Sequence, residues 1–219
     1  MRAALKKHNI AFRERLAATR LIAILRAEDS EFFGDIAQAL YDCGVRAIEA
    51  TLTTPGALDS IAAMQLELGP DIMIGAGSVR TVSDVDSCAA TGTDFLVTPT
   101  FSPEVLERAQ WYGIPVVCGA LTPTEIDGAW RHGAAAVKVF PAAQAGGPGY
   151  IQAVHAPLPE IPLVPAGGVT LDDVDAYLGA GAFAVAVASP LIGDATCGGR
   201  LDHLSERASR FVTVAGKFA

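Results

Sequence analysis

Ala135-Ala136-Val137-Lys138-Val139-Phe140-Pro141 is the stretch around which the chain is read. β-Branched and aromatic side chains surround the lysine, the pattern of a short strand buried on both faces of a parallel sheet. The chain has four lysines, and the other three, Lys6, Lys7 and Lys217, lie within a few residues of its ends. Lysine is almost never fully buried without a partner or a task. One reading of Lys138 is a stem that snorkels to a rim and ends in an ion pair. The other is an amine whose charged form is disfavoured by low dielectric, so that a neutral, nucleophilic fraction attacks carbonyls.

Outward from this strand the same unit repeats. Residues 1–19 carry apolar and basic residues at helical spacing and predict a leading helix outside the repeat. Strands are expected over 20–26, 47–52, 73–78, 95–99, 115–120, 136–140, 162–166 and 184–188. The helices between and after them are expected over 30–43, 55–68, 81–91, 103–112, 123–132, 147–156, 171–180 and 199–217. Ser30 is a candidate N-cap, Gly44 a stop and Pro55 a first-turn residue. Eight apolar strands, each followed by a helical pattern, in 219 residues predict an α/β fold, a (β/α)8 TIM barrel in one domain spanning 1–219.

Composition narrows the function. Hydrophobic residues make up 51% against 18% charged, enough for a large core and unlike a disordered chain. The net charge of −8 and the absence of a basic stripe argue against nucleic acid. A mean hydropathy of +0.35 raises the question of a membrane. The long uncharged run from Val139 to His155 is broken by Pro141, Gly146, Gly147, Pro148 and Gly149, so no span is expected. The amphipathic N-terminus, with Arg2, Lys6, Lys7, Arg13 and Arg15, lacks the pattern of a signal peptide, and a cytoplasmic location is expected. Cys43, Cys88, Cys118 and Cys197 are widely spaced, as are the four histidines, which gives disulfides and metal sites no local support.

In a barrel of this kind chemistry sits at the C-terminal ends of the strands. Strand one ends in Arg26, which shares a face with Ile22 and Ile24 and, if that face looks inward, presents a guanidinium able to grip a carboxylate. Strand two alternates Glu49, Thr51 and Thr53 against Ile48, Ala50 and Leu52, which places a carboxylate inside the barrel. Such a group is costly unless paired, so Glu49 and Lys138 are best explained together, as a catalytic pair or as a structural salt bridge. Strand three ends in Gly75-Ala76-Gly77-Ser78, with a hydroxyl at the rim. Pro99 and Phe101 are candidate apolar walls, and Cys118 is read as core. Gly167-Gly168 before a helix start, and Ser189 after strand eight, offer an anion site or a tight turn.

These residues, in this order, resemble the family of 2-keto-3-deoxy-6-phosphogluconate, 2-keto-3-deoxy-6-phosphogalactonate and 4-hydroxy-2-oxoglutarate aldolases. The resemblance is carried by Leu21-Ile-Ala-Ile-Leu-Arg26, Glu49, Gly75-Ala-Gly-Ser-Val79, Val97-Thr-Pro99, Val137-Lys-Val-Phe-Pro141 and Gly167-Gly-Val169. It implies a class I aldolase that cleaves a 2-keto-3-deoxy sugar acid, phosphorylated at its far end, to pyruvate and an aldehyde, glyceraldehyde 3-phosphate, in which Lys138 forms a Schiff base and Glu49 shuttles protons. It implies further that Arg26, Thr53, Ser78, Pro99 and Phe140 bind substrate and that Gly167, Gly168 and Ser189 hold a phosphate. No metal, no cofactor and a homotrimer are implied as well. The chain departs from its relatives at Thr53, where the gluconate branch has arginine; the galactonate branch, whose opening motif this chain shares more closely, lacks that arginine too. It departs also at Ala188, where glycine is usual. Sequence places no lysine or arginine between Lys138 and Arg200 to hold a phosphate. Cleavage of 4-hydroxy-2-oxoglutarate or of an unphosphorylated acid is therefore the alternative. A barrel that binds a phosphorylated ligand without breaking carbon bonds is the further one.

Overall fold

The computed structural model describes residues 2–219, with side chains from residue 7 onward. Eight parallel strands form one sheet: β1 (Leu21–Leu25), β2 (Ala47–Thr51), β3 (Met73–Gly77), β4 (Phe95–Val97), β5 (Val116–Ala120), β6 (Ala136–Val139), β7 (Leu163–Pro165) and β8 (Val185–Val187). Neighbours in sequence pair in register from β1 to β7, and β8 pairs with β1. The seam between β7 and β8 is closed by a bridge between Ala166 and Ala186 and by the N–H of Phe183 donating to the carbonyl of Leu163 at 2.7 Å. The result is the (β/α)8 barrel expected.

Strand alternation sorts the side chains into two cores. Leu21, Ala23, Leu25, Ile48, Ala50, Ile74, Val137 and Val139 face outward into the layer shared with the helices. Ile22, Ile24, Met73, Phe95, Val97, Val117, Ala136 and Val164 fill the barrel interior. The helical ring consists of α2 (Phe33–Asp42), α3 (Ala57–Leu68), α4 (Val82–Thr91), α5 (Pro103–Tyr112), α6 (Pro123–Arg131), α7 (Gly147–His155), α8 (Val174–Gly179) and α10 (Leu201–Ala215), with a short α9 (Ser189–Ile192) directly after β8.

Local chemistry explains the helix boundaries. Thr81 with Asp84 and Thr122 with Glu125 form capping boxes at α4 and α6, and Ser102 caps α5 ahead of Pro103. Three expectations shift. The second helix starts at Phe33 after a turn, with Phe32 as N-cap, so Ser30 does not cap it. Pro55 precedes the first helical residue, Ala57, because Gly56 at φ 78° turns the chain there first. The expected helix over 171–180 opens with a 3-10 turn at Leu171–Asp173, and α9 and a further 3-10 turn at Ala195–Cys197 were not visible as patterns.

The leading helix α1 (Arg2–Ala17) plugs the N-terminal mouth of the barrel. Phe12 and Leu16 belong to the interior core, with Phe12 against Phe95 at a centroid distance of 5.2 Å. Its polar side chains donate to carbonyls at that end, Asn9 to Gly133 and Arg13 to Ala135. The opposite, C-terminal mouth is left as the place where strand ends can meet a ligand.

Candidate active site

Lys138 is one residue from the end of β6, and Glu49 sits in the middle of β2. In the ring of strands these two are four places apart, so their side chains meet across the barrel axis. Nζ of Lys138 lies 3.8 Å from Oε1 of Glu49. Both are buried, Glu49 completely and Lys138 to 7% exposure. Neither carboxylate oxygen of Glu49 has a hydrogen-bond donor among the described residues. A structural salt bridge would close to about 2.8 Å and satisfy its oxygens. This pair does not close, and a buried carboxylate left so is an exception that calls for a functional account.

Glycines make the room. A Cβ on Gly77 would fall 1.9 Å from Oε1 of Glu49, and one on Gly75 would fall 2.4 Å from the ring of Phe95. The Gly-Ala-Gly end of β3 is thus explained by inward side chains on β2 and β4. On β5, a Cβ on Gly119 would strike the backbone of Pro99 at 2.3 Å, and the N–H of Gly119 donates to Oγ1 of Thr98 at 3.0 Å.

A cavity of about 250 Å³ opens above the lysine. Arg26, Lys138, Phe140, Gly167 and Ser189 line it together with Ala188 and Thr196. Its charged lining residues are both cations, in a chain of net charge −8. Nζ of Lys138 stands 5.6 Å from the ring centroid of Phe140, which is 42% exposed at the mouth. Nη2 of Arg26 reaches Oγ of Ser78 at 3.5 Å, and Ser78 holds φ at 60°, a conformation non-glycine residues adopt mainly where something requires it. Larger hollows of about 530 Å³ lie elsewhere, one beside α1 at the plugged end. Neither sets a buried lysine beside a buried carboxylate.

Of the site residues named from sequence, Glu49 and Ser78 stand beside lining residues without lining this cavity, and Thr53, Pro99 and Gly168 lie off it. Thr53 is exposed and donates to Oγ1 of Thr51 at 3.2 Å, in a hydroxyl cluster with Thr54 that receives the N–H of Ala27. Pro99 is half-buried against β5. Gly168, at φ 77°, is exposed, and a Cβ there would lie 2.6 Å from that of Ala143. Sequence reasoning missed Thr196 and Gly193, which reach the cavity from the segment after β8 and carry no motif.

Comparison with known proteins gives this geometry a context. Residues 12–199 match the family described as KDPG and KHG aldolase. The 2-dehydro-3-deoxy-6-phosphogalactonate aldolase of Escherichia coli is 36% identical over 193 residues, 88% of this chain and 92% of that one. A solved structure reported as native KDPGal superposes with a TM-score of 0.83 at 35% identity, covering 90% of this chain and 95% of the other. The KDPG aldolase of Legionella pneumophila, solved with pyruvate captured as a covalent carbinolamine, gives 0.79 at 25% identity over 94% and 97% of the two chains. A match that takes in every strand of the barrel, from β1 to β8, leaves one conclusion: the chain belongs to the KDPG and KHG aldolase family, whose members are lyases.

Proposed function

We propose that this chain is a class I aldolase that cleaves a phosphorylated 2-keto-3-deoxy sugar acid to pyruvate and an aldehyde, glyceraldehyde 3-phosphate for a six-carbon 6-phosphate. The observation that carries the reading is the 3.8 Å approach of Lys138 to an otherwise unbonded Glu49. The amine of Lys138 adds to C2 of the substrate, and loss of water gives an iminium. Glu49 removes the C4 hydroxyl proton as the C3–C4 bond breaks, releasing the aldehyde and leaving an enamine. The same proton returns from Glu49 to C3, and water then hydrolyses the iminium to pyruvate and free amine. Arg26 holds the carboxylate with Ser78 beside it, and Phe140 walls the site. Gly167 and Ser189 serve the distal phosphate from the cavity wall, while Gly168, Thr53 and Pro99, which lie off that wall, are carried only by the family resemblance.

The experiment is reductive trapping. Pyruvate with borohydride should add one reduced pyruvate to the intact mass, mapped to Lys138, and Lys138→Ala should abolish both adduct and turnover. An unmodified mass, or a Lys138→Ala variant that still cleaves at the native rate, sinks the reading and favours a barrel that only binds phosphorylated ligands.

A second reading has an observation of its own. Thr53 stands where the gluconate branch has arginine, and Ala188 adds a methyl group to the cavity wall where glycine is usual, which suits the unphosphorylated 4-hydroxy-2-oxoglutarate. A turnover panel of 2-keto acids with coupled pyruvate detection separates the two.

The chain is further proposed to work in the cytoplasm as one barrel domain in a homotrimer. No helix among the described residues is long and apolar enough to cross a membrane. Trp111 and Tyr112, neighbours at the end of α5, expose aromatic surface that self-association would cover. Light scattering should give three times the 22.7 kDa of one chain.

A further inference from the structure

Arg207 reaches back from α10 to the wall of the candidate active site. Its Nε donates to the carbonyl of Leu191 at 2.9 Å and its Nη2 to that of Ile192 at 2.8 Å, the carbonyls that end α9. The next residue, Gly193, lines the cavity at φ 61°. A Cβ on Gly193 would lie 2.4 Å from Nη2 of Arg207. The guanidinium therefore occupies the place where a side chain of residue 193 would stand, one backbone thickness from the cavity.

Arg207 is half-buried and takes part in none of the ion pairs found among the described residues. A cation held by two carbonyls and no acid keeps its field, and the cavity that Gly193 lines already carries Arg26 and Lys138 with no carboxylate in its lining. The segment it ties down supplies Ser189, Gly193 and Thr196 to that surface.

We propose that Arg207 is a positioning residue that fixes the segment after β8 and adds a third positive charge behind Gly193, so that the cavity prefers a substrate whose distal end is a phosphate. This rests on the aldolase reading and supplies the cation that the sequence between Lys138 and Arg200 lacks. Sequence distance hid it, because the contact exists only once α10 packs beside α9 in the outer ring.

The test compares a phosphorylated 2-keto-3-deoxy acid with its unphosphorylated counterpart, and uses inorganic phosphate as a competitor. Arg207→Met keeps the length and removes the charge. It should raise KM for the phosphorylated acid about tenfold, change KM for the other by less than about twofold, and leave kcat for both within about threefold. Inhibition by inorganic phosphate should weaken in parallel, and Arg207→Lys should restore part of the phosphate preference. Equal losses on both substrates would show a merely structural support and overturn the proposal, as would no loss on either. Should Arg207→Met fail to fold, the native enzyme still decides: phosphate that does not compete with the phosphorylated substrate overturns the assignment. Pyruvate trapping on the native enzyme is read separately, so that loss of the adduct condemns the aldolase reading, and an intact adduct with any of the contrary outcomes condemns only the role of Arg207.

Discussion

Glu49 of β2 and Lys138 of β6 face one another across the barrel axis at 3.8 Å, and the acid has no other partner among the described residues. Neither residue could reach the other along the sheet surface, since three strands separate them. The closed cylinder alone brings them together, and it does so at the mouth not plugged by α1.

Glu49→Gln should separate binding from bond cleavage. The amide keeps the shape and loses the base, so kcat for retro-aldol cleavage should fall about 10²- to 10⁴-fold. Borohydride trapping of pyruvate on Lys138 should continue. A variant that cleaves within about threefold of the native rate removes Glu49 from the proposed proton path.

Gly77→Ala tests the room made for that acid. The new methyl would meet Oε1 of Glu49 at 1.9 Å, so either the carboxylate swings away or β3 shifts. Overpacking of this kind costs about 1–3 kcal/mol, and kcat should drop at least about tenfold because a displaced base no longer reaches the hydroxyl. Chemical denaturation and steady-state kinetics measure the two effects. An alanine variant with native kcat and native stability would mean the site tolerates a different placement of Glu49.

Thiol reactivity should follow burial. Burial pushes the Cys88 thiol up to about 12, with Asp84 adding to it, and burial pushes Cys118 up to about 11. Both stay protonated at pH 8 and are shielded, whereas Cys197 is exposed and Cys43 half-buried. A disulfide reagent on the native protein should modify Cys197 first and Cys43 slowly, with Cys88 and Cys118 reacting only after unfolding. Fast native modification of Cys118, seen by peptide mapping, would contradict the packing between β4 and β5.

The capping box of α6 should show in stability and in its pH dependence. Thr122→Ala removes the acceptor for the N–H of Glu125 and should lower unfolding free energy by about 1 kcal/mol. The N–H groups of Thr122 and Leu121 donate to Glu125 and hold its carboxyl below the usual carboxylate range. A carboxyl depressed in the folded state stabilises above its unfolded pKa and loses that contribution as pH falls through the folded value. Urea midpoints of the native protein and Glu125→Gln should therefore differ at pH 7 and converge as pH falls below the ordinary carboxylate range. A gap that persists unchanged in acid would assign the effect to packing.

The amino-acid sequence by itself determined the repeat, the inward and outward faces of the strands, most helix starts and the two ionisable residues worth watching. Each of these is local: alternation of side chains along a strand places Ile22, Ile24 and Glu49 on one side, and Thr122 meets Glu125 within one turn. Tertiary structure alone decided which inward residues touch, because contact across the barrel depends on closure between β7 and β8, not on spacing in the chain. It also assigned the glycines of β3, whose missing side chains matter only against Glu49 and Phe95 from neighbouring strands. Arg207 is the furthest case: it meets the cavity wall through Leu191, Ile192 and Gly193 because α10 packs against α9 in the outer ring, an arrangement no local pattern encodes.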